Sequence, residues 1–224
     1  LKKGFKEETE TAVKIYSGGG VIRNEANEEI SKYLLGLVDP DVPMNHAGYA
    51  ASMLAQSGDK RAVEPILGLL GKLCMGSWRD LIPALGKLPD PRGAARLIEI
   101  YTDKNVMYMH ESIAPLVPEA LLAMGPIGAK ALAEGIPQVE EIKIHSCGLL
   151  LGEFGEEAVE PAKSLLTNDN IKVRRSGITA LKRCGSPAVY EMLVERYSND
   201  KDSLNRKVAL EALGNFNNDN AIEL

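Results

Sequence analysis

Aromatic side chains are scarce: one tryptophan, three phenylalanines and seven tyrosines make up 5% of 224 residues. A core built on large rings is therefore excluded, and small and aliphatic residues, which suit closely packed helices, must fill it. No run approaches about eighteen uncharged apolar residues, so no segment reads as a membrane span. Apolar alternation at period two is also missing, so strands are not expected anywhere. The start, Leu1-Lys2-Lys3-Gly4, has neither an initiator methionine nor a hydrophobic signal core. The end, Leu224, falls inside an expected helix, so the reading is a fragment of a longer protein. Cysteines number three, Cys74, Cys147 and Cys184, at no metal-ligand spacing. An odd count with two members in apolar helical runs reads as buried, reduced thiols and a cytoplasmic location. A net charge of −5 and a pI near 5.4 argue against binding along a phosphate backbone.

What the chain does have is a leucine that returns about every thirty residues, four positions ahead of a break. The leucines are Leu54, Leu85, Leu121, Leu151, Leu181 and Leu213, and the breaks are Gly58, Pro89, Gly125, Gly155, Gly185 and Asn217. Self-similarity at this period marks a solenoid, in which each unit buries its apolar face against its neighbours. Ahead of each leucine apolar residues recur at threes and fours, as in Val173, Ile178, Leu181, which is helical spacing. After the break a second apolar run opens with Ala-Val at Ala62-Val63, Ala158-Val159 and Ala188-Val189, and Ala221-Ile222 in the last copy. Pro65 and Pro161 follow two residues later and belong in a first helical turn, where proline costs no hydrogen bond. The clusters Thr102-Asp103-Lys104-Asn105, Thr167-Asn168-Asp169-Asn170 and Ser198-Asn199-Asp200-Lys201 read as helix caps rather than cation loops, because their oxygens are not at calcium-loop spacing.

Each unit is thus two antiparallel helices joined by a tight turn. Leu151-Gly152-Glu153-Phe154-Gly155 followed by Ala158-Val159-Glu160-Pro161 resembles the short HEAT-like repeats of the phycobilisome-lyase type. The resemblance covers roughly residues 40–224 and implies an all-α fold, a right-handed α-α superhelix of about six to seven helix pairs. Residues 1–41 fit the register poorly and are expected to form a degenerate capping helix pair, with helices over 5–16 and 24–38 split by Ser17-Gly18-Gly19-Gly20. The regular array then runs over 42–224 as one continuous solenoid. In its third unit Pro115 and Pro118 fall in the first-helix zone and should kink or shorten that helix.

Two enzyme families built on similar repeats leave little trace in the residues. Deoxyhypusine hydroxylases hold a di-iron centre with repeated His-Glu pairs, and here one such pair exists, His110-Glu111, while His145 precedes Ser146 and His46 precedes Ala47. HEAT-like DNA glycosylases pair a basic concave face with aromatic and acidic residues, and Trp78-Arg79-Asp80 is the only local trio of those types. Trp78 is expected to pack against a neighbouring repeat instead. The basic run Lys172, Arg174, Arg175, Lys182 and Arg183, with Arg206 and Lys207 one repeat later, alternates with apolar positions as solvated residues do. With no nucleophile–base pair, metal cluster or phosphate cradle, the expectation is a protein that is not an enzyme and holds no metal or cofactor.

The remaining reading is a protein-binding scaffold. Aligned on Ala-Val, outward columns of the second helix carry Glu64, Glu99, Glu160, Tyr190 and Glu191, a mildly acidic face suited to a basic or mixed-charge segment of another protein. The alternative that the resemblance implies is a lyase-type subunit that holds a tetrapyrrole or other cofactor together with its acceptor protein. A nucleic-acid enzyme is a third, and neither nucleic acid nor membrane is an expected partner.

Overall fold

The computed structural model of the protein describes residues 25–72, 78–103, 113 and 115–216. These residues form twelve α-helices and four short 3-10 turns, with no strand among them. The helices are α1 (Glu25–Leu37), α2 (Met44–Gln56), α3 (Val63–Lys72), α4 (Trp78–Gly86), α5 (Pro91–Thr102) and α6 (Leu116–Ala123). They continue as α7 (Pro126–Gly135), α8 (Glu141–Gly152), α9 (Val159–Leu165), α10 (Ile171–Cys184), α11 (Tyr190–Asn199) and α12 (Ser203–Leu213). The fold is an all-α solenoid of helix pairs. From α2 onward, even-numbered helices are the first members of successive units and odd-numbered helices the second. First helices stack on one another (α2 on α4, α4 on α6, α8 on α10, α10 on α12), and second helices do the same from α3 through α5 and α7 to α9.

The recurring leucine is the hub of each first helix. Leu54, Leu85, Leu121, Leu151 and Leu181 are wholly buried, and Leu213 is 2% exposed. Four of the breaks that follow are Gly58, Gly125, Gly155 and Gly185, with φ of 72°, 57°, 61° and 64°. They are the residues of positive φ among those described, and a left-handed turn there reverses the chain into the second helix at low cost only for glycine. Asn217, the break expected in the last copy, lies outside the described residues, as do Cys74, Ala221-Ile222 and the helix expected over 5–16.

The prolines behave as their spacing requires. Pro65 and Pro161 are the third residues of α3 and α9, and Pro115 immediately precedes an α6 of only 8 residues that holds Pro118 in its first turn. Polar residues cap the helices: the side chains of Asp90, Asn170 and Asp202 accept from the backbone N–H groups of Arg92, Lys172 and Asn205. In the cluster Ser198–Lys201 the cap falls one residue later, on Asp202, because Asp200 turns back to accept from the N–H of Asp202 at 2.9 Å.

A feature the periodicity does not announce sets the spacing of the first helices. Gly148 and Gly152 of α8 face Ser176 and Ala180 of α10 so closely that a Cβ on Gly148 would lie 2.7 Å from Ser176 Cβ, and one on Gly152 2.8 Å from the carbonyl oxygen of Ala180. Gly86 meets Ala120 in the same way. Small residues at helical spacing bring these backbones together, which lets a core poor in aromatics pack closely. Among the described residues no single helix is long and apolar enough to cross a membrane.

Candidate interaction grooves

The second-helix layer carries an open groove of about 590 Å³ between α5 and α7. Pro91, Ala95 and Ile98 from α5 form part of its floor, with Ala131 and Gly135 from α7 opposite. Its polar lining is Glu99, Thr102 and Asp103 on one side and Glu134, Gln138 and Glu140 on the other, so four carboxylates and no cation line it. Glu99 pairs with the half-buried Arg96 at 2.8 Å, and Glu134 with the exposed Lys130 at 3.9 Å, and both carboxylates are themselves exposed. Exposed pairs of this kind contribute about 0–1 kcal/mol and hold their partners loosely.

All five sequence-predicted residues lie on second helices, and the groove gathers only one of them, Glu99. Glu64 is exposed on α3 and ion-pairs with Arg92 at the start of α5. Glu160 is exposed on α9, 3.8 Å from Lys163. Tyr190 is half-buried at the start of α11, its ring edge-on to Phe216 with centroids 6.2 Å apart, and Glu191 beside it is exposed. Sequence reasoning missed Asp103, Glu134 and Glu140, because the aligned columns take no residue from α7, where Glu134 lies, and stop short of Asp103 and Glu140, which lie beyond the ends of α5 and α7. The usable signal was an acidic residue recurring one repeat after Glu99 at Glu134.

The arginines beside this layer are structural. Arg61 contacts the carboxylates of Asp59 at 2.6 Å and Glu28 of α1 at 2.6 Å, and its own charge is thereby held more firmly. Arg92 repeats the arrangement with Asp90, at 2.9 Å, and Glu64. In both, the Asp that caps the start of α5 or of the turn into α3 also grips the arginine two residues on, and that arginine reaches back to a carboxylate on α3 or α1. The hydrogen bond from Arg61 depresses the pKa of Asp59 and of Glu28 against a smaller opposing effect of burial.

The first-helix layer carries a second open groove, of about 440 Å³, across α8, α10 and α12. It is lined by His145 and Leu149, by Arg175, Thr179, Lys182 and Arg183, and by Val208, Glu211 and Asn215. Three of the basic residues expected to be solvated therefore converge here. Arg175 bonds Asp202 at 3.0 Å, Lys182 bonds Glu211 at 3.3 Å and Arg183 bonds Glu153 at 2.8 Å.

No group of three or more His, Cys, Asp and Glu is poised to hold a metal among the described residues. His46 lies on α2 and His145 on α8, while His110-Glu111 falls outside the described residues. Trp78 is 6% exposed at the start of α4, packed in the core as expected, whereas Arg79 and Asp80 are exposed, so the trio does not converge on one surface.

The helix pairs and their caps have a counterpart among known repeat families over part of the chain. Residues 138–214, which run from the end of the turn after α7 through α12, match the family of HEAT repeats. Those residues are HEAT repeats. No curated protein matches the sequence. Among solved structures, human deoxyhypusine hydroxylase in complex with glycerol is similar to this chain at 18% identity and a TM-score of 0.39, over 94% of this chain and 90% of that one. That protein is an enzyme by name, and it corrects the expectation that this chain is not one. The physical reason is that stacked repeats can bring distant side chains onto one surface, so the lack of a short catalytic motif does not exclude catalysis.

Proposed function

We propose that this HEAT-like repeat protein is a protein-binding scaffold whose second-helix layer takes a basic or mixed-charge segment of a partner protein. The observation that carries the reading is the groove between α5 and α7, where Glu99, Asp103, Glu134 and Glu140 face an apolar floor and no lining residue is cationic. Such a groove raises the local concentration of cationic side chains and repels phosphate, so neither a nucleic acid nor an anionic membrane surface fits it. Pro91, Ala95 and Ile98 supply contact area for the stems of lysine and arginine, which lie along apolar surface while their heads reach carboxylates. From the groove the segment continues over Glu64 on α3 in one direction and over Glu160, Tyr190 and Glu191 on α9 and α11 in the other. A cytoplasmic setting suits the unpaired thiols of Cys147 and Cys184.

The test is fluorescence anisotropy with a labelled lysine- and arginine-rich peptide, using the native chain and a Glu99→Lys, Glu134→Lys double variant. The reading expects saturable binding that weakens as salt rises, and an affinity at least about tenfold lower for the variant. Equal binding by both proteins would exclude the groove.

A further inference from the structure

We draw no further inference here: the strongest candidate, the surface patch of exposed Ile142, Ile171 and Leu204 at the starts of α8, α10 and α12, carries nothing because Arg175, Lys182 and Arg183 of the adjoining groove are each paired with a carboxylate of the chain and nothing in the structure shows what covers it.

Discussion

Arg174 and Asp200 meet as a two-contact ion pair across neighbouring repeats, with Nε 3.0 Å from Oδ2 and Nη2 3.2 Å from Oδ1. The Asp200 side chain is fully buried and that of Arg174 is 13% exposed. Arg174 also donates to the carbonyls of Asn168 and Asp169, while buried Asn205 donates to the carbonyl of Ile171 at 3.2 Å. One carboxylate thus organises the loops ahead of both α10 and α12. Replacing it by alanine strands a mostly buried guanidinium, which costs about 3–5 kcal/mol. Asp200→Ala is expected to lower the midpoint of thermal unfolding by circular dichroism by roughly 6–20 °C. An unchanged midpoint would remove this pair from the account.

The same carboxylate predicts how stability responds to acid. Burial opposes ionisation of Asp200, but hydrogen bonds from Arg174, the N–H of Asp202 and the Asn205 side chain outweigh it and hold the carboxyl below its usual range. Because the folded pKa is depressed, the stabilisation is complete above the unfolded value of about 3.9 and is lost as pH falls through the lower folded value. Urea titrations below about pH 4 should show native stability falling with pH, with a flatter fall in Asp200→Asn. Identical slopes for the two proteins would contradict this.

Close approach between first helices predicts opposite outcomes at two glycines. A Cβ on Gly148 would sit 2.7 Å from Ser176 Cβ and 2.8 Å from its carbonyl oxygen, so Gly148→Val must separate α8 from α10. Overpacking of this kind costs about 1–3 kcal/mol, and more where backbone has to move. Gly68, inside α3, would meet nothing within 4 Å. Gly68→Ala should therefore raise stability by about 0.5–1 kcal/mol, since alanine loses less backbone freedom in a helix. Chemical denaturation of the two variants checks both signs.

Burial pushes the Cys147 thiol up to about 11, and Cys184, which donates to the carbonyl of Leu181 at 3.1 Å, is also raised by burial. Thiolate is the reactive form, so neither residue should react readily with iodoacetamide in the native protein at neutral pH. Mass spectrometry after brief labelling should find Cys147 unmodified until urea is added. Rapid native labelling of Cys147 would show that α8 opens.

The fold was legible because its punctuation is local. A buried leucine followed four residues later by a left-handed glycine is visible in sequence at Leu54-Gly58, Leu121-Gly125, Leu151-Gly155 and Leu181-Gly185, and the structure places each where the spacing predicts. The grooves were less legible because they form between units. Glu99 was found from its column, but Glu134 joins it only through the packing of α7 on α5. Likewise Lys182 and Arg183 read as solvated positions of one helix, and only the stacking of α8, α10 and α12 brings His145 and Val208 beside them. Alignment of repeats gives what each unit contributes, while the offset between units decides which contributions meet.

The acidic groove between α5 and α7 is proposed to hold a basic segment. Amide chemical-shift mapping of the isotope-labelled chain, titrated with the lysine- and arginine-rich peptide, tests it most directly. The account predicts shifts concentrated on Ala95–Asp103 and Ala131–Glu140, absent in the Glu99→Lys, Glu134→Lys variant. Shifts spread evenly over exposed carboxylates, or confined to helices outside the second-helix layer, would contradict it.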